Sequence, residues 1–256
     1  MKNLLNNKKI LVVGAGGLLG SQIVKNALIQ GAIITAADIN LNKMQKLLGS
    51  LDIDLNSSSL QLIELDVTNE SSVKGYFSTA ADLDGAVNAT YPRNKTYGAH
   101  FFDVTLDSFN ENLTLHLGSA FLFSQQCAAY FKRTERPFSL VNISSIYGVV
   151  APDFSIYEDT PMTMPVEYAA IKSGLLHLNR YISKYVNNSN FRINAVSPGG
   201  IFDSQPEPFL QAYKDKTLGT GMLDVEDIIG SILFLLSDQS KYIVGQNLIV
   251  DDGFSL

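Results

Sequence analysis

An open α/β fold, a parallel sheet of about seven strands with helices on both faces, is the architecture this sequence predicts. Three observations point there. Short apolar, β-rich runs recur seven times along the 256 residues. Segments with helical apolar spacing separate most of them, which is the alternation that builds a parallel sheet. The runs are continuously apolar rather than alternating, as expected when helices cover both faces of a doubly wound sheet.

The first run, residues 10–13, passes into Gly14-Ala-Gly16-Gly17-Leu-Leu-Gly20 and then into a helical pattern carried by Leu18, Ile23, Ala27 and Leu28. The second, 32–37, is followed at once by Asp38. The third, 60–65, follows a polar loop at 56–59 and ends on Asp66-Val67, and the fourth, 85–88, ends on Asn88-Ala89. Runs at 138–143, 192–196 and 247–250 complete the set, the last preceded by a helix marked by Ile228, Ile232, Leu235 and Leu236. Two stretches are less regular, 149–165 with three prolines and 202–222 with Pro206 and Pro208. Both follow strands, and ligands of open α/β sheets bind beyond the carboxyl ends of strands, so both are candidate substrate loops.

Composition narrows the function. At 46% hydrophobic and 17% charged residues the chain can bury a large core, and a single domain over residues 1–256 is expected. The formal net charge of −6 comes without a basic block, which speaks against a nucleic-acid partner. Cys127 is the only cysteine, so internal disulfides and multi-cysteine zinc sites are excluded, no metal is expected, and helix packing is its expected role. The apolar run 10–13 is too short for a signal peptide and the window 228–236 too short to cross a bilayer, so a cytoplasmic protein with no membrane partner is expected.

The glycine segment sits where a dinucleotide-binding loop belongs. Gly14, Gly16, Gly17 and Gly20 permit a tight strand-to-helix turn and let backbone approach a pyrophosphate lying on the positive end of the following helix. Asp38, 24 residues after Gly14, is placed to accept hydrogen bonds from the adenosine ribose diol and to repel a 2′-phosphate. With no Arg or Lys in the loop or beside Asp38, NAD is expected in preference to NADP. Asp66, Val67, Asn88 and Ala89, at the ends of the next two strands, extend this Rossmann-like pocket.

Tyr168-Ala-Ala-Ile-Lys172 lies in a helical segment, so the i, i+4 spacing stacks phenol and ammonium on one face. A neighbouring ammonium and the positive charge of a bound nicotinamide both favour the phenolate, and together they are expected to move the phenol pKa towards neutral pH. With eleven tyrosines in the chain the pattern alone is weak, and Tyr91-Pro-Arg-Asn-Lys95 matches it too, but Pro92 and its place just after a strand make that segment a loop. Company singles out Tyr168. Val141-Asn-Ile-Ser-Ser145 closes the fifth run, with Ser145 preferred over Ser144 to hold a substrate oxygen. Asn194-Ala-Val-Ser-Pro198-Gly199-Gly200 closes the sixth, with a turn able to lie against a nicotinamide.

These four motifs, in this order, resemble the short-chain dehydrogenase/reductase family from Gly14 to Asp251-Asp252-Gly253. The resemblance implies an oxidoreductase acting on CH–OH groups. Ser145 would orient the carbonyl or alcohol and Tyr168 would be the general acid/base. Lys172 would bind the nicotinamide ribose, and Leu19 and Ile201 would be further cofactor contacts. It also implies a homotetramer or homodimer built on helices around 110–131 and 168–186 and on the C-terminal strand.

Three departures stand out. The family's usual helix asparagine, which shapes a proton relay to the lysine, is here His116, which either serves that relay or only packs locally; Asn112, one turn earlier, is placed to assist. Ser145 and Tyr168 are 23 residues apart, longer than the family norm, which makes 149–165 an inserted loop. The glycine loop also reads as Gly-x-x-Gly-x-x-Gly, a form shared with larger sugar-nucleotide-modifying relatives. Tyr91-Pro-Arg-Asn-Lys95, His100-Phe-Phe-Asp103, Leu115-His-Leu-Gly118 and 145–152 resemble a branch concerned with bacterial surface-glycan or flagellin modification. Arg93, Lys95 and His100, with Tyr147, Tyr157 and Glu158 around the inserted loop, suit a polar small-molecule substrate, a sugar, sugar phosphate or related keto compound. The alternative from another class is a dinucleotide-binding regulatory or assembly protein that keeps the fold without turnover.

Overall fold

The inner apolar runs become strands covered on both faces, while the edge strands at 60–64 and 247–250 are covered only in part. The computed structural model describes residues 3–256. Its strands are β1 (Lys9–Val13), β2 (Ile33–Asp38), β3 (Leu60–Glu64), β4 (Gly85–Asn88), β5 (Phe138–Ile143), β6 (Phe191–Pro198) and β7 (Asn247–Val250). All pair in parallel, in the order β3-β2-β1-β4-β5-β6-β7. Successive side chains on a strand point to opposite faces, so each apolar run feeds two cores. Ile10, Val12, Ile34 and Val141 pack on one face against α1 (Leu18–Ile29), α2 (Leu41–Ser50) and α8 (Ile229–Leu236). Leu11, Val13, Leu140 and Ile193 pack on the other against α3 (Glu70–Thr79), α5 (Ser119–Thr134) and α6 (Val166–Val186). Cys127 is fully buried in this second core.

Two elements differ from the sequence expectation. The helix expected around 110–131 is a longer composite, α4 (Leu106–Asn112), a π-helical stretch Leu113–Gly118 and α5. Nothing in the local composition marks the wider turn, but it rotates His116 onto the buried face, and such π segments occur often at functional sites. The segment 202–222 is not wholly irregular either: it contains α7 (Glu207–Lys214), capped by Pro206 with Pro208 in its first turn, where a proline's missing N–H costs nothing.

Because every strand runs the same way, all carboxyl ends lie along one edge, and the segments after them converge there. Over this edge the two irregular stretches pack on each other through a third apolar cluster of Ile156, Tyr157, Phe209 and Tyr213, backed by Met162, Met164, Met222 and Phe254. Lys216 and Asp153 add an ion pair of 2.8 Å between them. No helix among the described residues is long and apolar enough to cross a membrane.

Candidate active site

The cleft above the carboxyl edge has a volume of about 840 Å³. At its β1 end the chain turns at Gly14 with φ +80°, and a Cβ there would lie 2.7 Å from the Ala89 carbonyl oxygen. A Cβ on Gly20 would overlap the Gly14 carbonyl oxygen, so this glycine lets α1 pack directly on the loop and does not itself line the cleft. Helix α1 starts after Gly17 with no side-chain cap and no acidic residue in its first turn. Its first N–H groups and the positive end of its dipole are therefore left for an anion, and Gly14, Gly16, Gly17 and Leu19 border the space where a pyrophosphate fits.

Asp38 lines the same end, its carboxylate accepting from the backbone N–H groups of Gly16 (2.9 Å) and Asn40 (3.0 Å). Asp66 and Val67 border it too, and Asp66 accepts from the Thr68 N–H at 2.8 Å and the Thr68 hydroxyl at 2.7 Å. Ala89 reaches the cleft, whereas Asn88, expected as a cofactor contact, does not. Asn88 is buried in β4 between β1 and β5, and its side-chain oxygen accepts from the N–H and hydroxyl of Thr90, which shapes the loop instead. Pro198, Gly199 and Ile201 border the cleft beyond β6, and the Gly200 N–H is fixed by the Tyr213 hydroxyl at 2.6 Å. Among the described residues no group of three or more His, Cys, Asp or Glu gathers as a metal site would require.

At the other end stand Tyr168 and Lys172, one turn apart on α6. The Lys172 ammonium donates to the Ile143 carbonyl at 2.9 Å, lies 3.4 Å from His116 Nε2 and stands 5.4 Å from the centre of the Tyr168 ring. Burial without any carboxylate beside it pulls Lys172 down to about 7. Burial first, then the charges of Lys172 and Arg93, hold His116 well below its ordinary value. The imidazole is therefore neutral near pH 7, and accepting from Lys172 at Nε2 leaves its proton on Nδ1, which has no protein partner. The Ser145 hydroxyl sits near enough to the Tyr168 phenol to favour its ionised form and accepts from the Tyr147 N–H at 3.2 Å, while Ser144 turns back to the Lys172 carbonyl at 3.2 Å.

The phenol departs from expectation. Burial is the strongest influence on Tyr168 and raises its pKa, with the Ser145 hydroxyl working against it. The expected lowering by an adjacent ammonium is not present in the ligand-free chain because the same desolvation discharges Lys172 near neutral pH.

Several residues around the substrate end stand in places the sequence did not indicate. Tyr91, set aside in the sequence as part of a loop, presents its ring edge-on to Tyr168 at 5.7 Å and to His116 at 5.2 Å. Its hydroxyl bonds that of Tyr97 at 2.7 Å, and burial pushes Tyr91 up to about 12. Asn112 does not reach Lys172; its amide ties the Asn94 side chain to the buried Glu167 carboxylate, each at 3.2 Å. Of the polar residues expected near the substrate, Arg93, Tyr147 and Tyr157 line the cleft, the two tyrosine hydroxyls 3.3 Å apart. Lys95 and His100 are exposed and do not line it, because the chain after Arg93 turns outward over α4, and Glu158, which ends a short turn at 154–157, is exposed as well. Tyr91 comes three residues after the end of β4, much as Asp66 comes two after β3, and that position was the available clue; Glu167 offered none.

Comparison with known proteins bears on the family and the fold. A family model described as enoyl-(acyl carrier protein) reductase matches residues 14–255. The chain is 39% identical over 258 residues to the post-translational flagellin modification protein A of Campylobacter coli, covering 99% of this chain and 100% of that protein. It is 24% identical to a 7alpha-hydroxysteroid dehydrogenase of Bacteroides fragilis, over 99% of this chain and 96% of that one. Among solved structures, a short-chain dehydrogenase from Leptospira borgpetersenii with bound NAD+ superposes with a TM-score of 0.86 at 30% identity, covering 98% of this chain and 94% of that chain.

Proposed function

Because the chain belongs to the short-chain dehydrogenase/reductase family, whose members are oxidoreductases, we propose that it moves a hydride between NAD and the carbonyl or alcohol of a polar substrate, a sugar or sugar derivative. The observation that carries this reading is the convergence of Ser145, Tyr168 and Lys172 on one cleft that opens, at its far end, onto the uncapped start of α1. When bound, the nicotinamide ring supplies the hydride acceptor or donor. The chain supplies the rest. Ser145 holds the substrate oxygen, and Tyr168 takes the alcohol proton in oxidation or gives one to the carbonyl in reduction. Lys172, pinned by the Ile143 carbonyl, holds the nicotinamide ribose and passes protons on. His116 accepts from Lys172 at Nε2 and is the first group behind it, in the place of the family's asparagine.

That role for His116 is open to test. His116→Ala is expected to lower kcat about tenfold with unchanged NADH affinity, and His116→Asn to restore most of it; an unaltered kcat in the alanine variant would leave His116 a packing residue only. The preference for NAD rests on Asp38. Asp38→Ser should reduce the ratio of kcat/KM for NAD over NADP by about 10- to 100-fold, since it removes the charge that a 2′-phosphate would meet. Steady-state kinetics with both dinucleotides would show it, and an unmoved ratio would place discrimination elsewhere.

The relative at 39% identity, with flagellin modification in its name, supports a setting in bacterial surface-glycan or flagellin modification, and the tyrosine-rich walls of the substrate end suit hydroxyl-bearing ligands. A panel of sugar derivatives assayed for NADH formation or consumption tests the substrate class; activity confined to hydrophobic alcohols would overturn it. A dinucleotide-binding regulator would instead bind NADH, by fluorescence titration, without turning over any carbonyl. We further propose that the homo-oligomer contact lies on the π-helical stretch, α5 and α6, where Leu117, Phe121, Leu178 and Tyr181 line an open apolar groove.

A further inference from the structure

We propose that the substrate carries an anionic substituent, a phosphate or a carboxylate, and that the guanidinium of Arg93, laid over the Tyr91 ring, holds it. This rests on the hydride-transfer reading and names the substrate class that reading leaves broad. Arg93 is the arginine that borders the cleft. Its guanidinium carbon stands 4.8 Å from the centre of the Tyr91 ring, and Tyr91 is in edge contact with Tyr168, so the cation lies one aromatic ring from the phenol. Arg133, Arg136 and Arg192 are engaged by carbonyls, hydroxyls or carboxylates, whereas Arg93 makes no ion pair and no hydrogen bond within the described residues.

The backbone beneath it is fixed. The Asn94 N–H donates to Asn112 Oδ1 at 3.0 Å, and the Asn94 amide donates to Glu111 at 2.7 Å and to Ser108 at 3.2 Å. Asn112 in turn binds the buried Glu167, the residue just before Tyr168. A buried carboxylate and two asparagines thus anchor the Arg93 loop to the helix that carries the phenol, which spares a ligand part of the ordering that a floppy arginine would demand. A planar, stacked guanidinium with its donors free matches a carboxylate or phosphate in two-point fashion, a geometry lysine cannot supply. Of the other cleft-lining charges, Asp38 ends β2, Lys43 and Asp66 lie in the segments after β2 and β3, and Asp203 lies after β6, while Lys172 stands 5.9 Å from the centre of the Tyr91 ring and is bonded to the Ile143 carbonyl. Arg93 is therefore the cation on the β4 side of the substrate end whose donors are free for an anion.

The test compares glucose, galactose, mannose and fructose with their 6-phosphates and, for the aldoses, their uronic acids, titrated calorimetrically into the protein with and without NADH. At least one anionic member should bind tenfold or more tighter than its neutral parent, and Arg93→Ala should bring that ratio to within threefold, with Arg93→Lys between. The phosphate and carboxylate arms identify which anion is held. Equal binding of neutral and anionic members, a preference that survives Arg93→Ala, or a tenfold loss of NADH affinity in that variant, which would hand the guanidinium to the dinucleotide, would each overturn the proposal. Because binding is read without turnover, failure of the hydride-transfer reading would show separately, as absent NADH formation on ligands that bind.

Discussion

Tyr168→Phe is expected to lower kcat by about 10²- to 10⁴-fold while NADH affinity stays within about twofold of the parent, because the substitution removes one oxygen and leaves the ring contacts to Tyr91 and Lys172 in place. The parent protein should show the phenol's state directly. Burial raises Tyr168, so in the free protein it is protonated across the neutral range. Reduction, which needs a proton donor, should be flat in kcat/KM from pH 6 to 8. Oxidation, which needs the phenolate, should climb with pH through the same range and beyond. Ser145→Ala removes the hydroxyl that lowers the phenol, so it should shift that climb to still higher pH, beyond any loss in kcat. Equal turnover in Tyr168→Phe, or an oxidation rate that falls as pH rises, would remove Tyr168 from the proton chemistry.

The sequence made the frame of this site visible and left its walls hidden, for a physical reason. Strand ends are legible because continuous apolar runs stop abruptly, and the residues that follow them, Gly14, Asp38, Asp66, Ser145 and Pro198, all reach the cleft. The number of strands follows from the same alternation, whereas their order β3-β2-β1-β4-β5-β6-β7 shows only in the pairing. Contacts between residues far apart in the chain leave no such trace. The Asn94–Asn112–Glu167 tie joins three segments, and only the folded geometry shows that a loop with a proline in it stands against Tyr168. Asn88 closes a strand like the others but is buried there, its side-chain oxygen turned to Thr90. The π-helical turn that brings His116 to Lys172 likewise depends on packing, not on composition.

Lys172→Met is expected to abolish measurable turnover and yet to make the ligand-free protein more stable at pH 7. The lysine is buried with one carbonyl and one neutral imidazole for company, and burial draws it from 10.5 to about 7. Such a fall corresponds to at most about 5 kcal/mol of stability withheld while the unfolded chain can hold the proton. The sign follows from proton counts. Between about pH 7 and 10.5 the unfolded chain binds a proton that the native chain has released, so the parent gains stability as pH rises through that window, and below it the full penalty stands. Methionine fills a similar volume without a charge to desolvate, and it forfeits the Ile143 hydrogen bond, about 1 kcal/mol. A net gain of about 1–3 kcal/mol at pH 7 remains, a rise of several degrees in Tm for a chain of this length. The gain should shrink towards pH 10, as the parent sheds the proton in both states. A variant less stable than the parent at pH 7, or a gain that does not depend on pH, would show that Lys172 is held by partners strong enough to repay its burial. The lysine would then belong to the scaffold as much as to the chemistry. If the gain is found, the protein keeps a destabilising cation at the one place where a ribose and a phenol need it, a cost that stability alone would have removed.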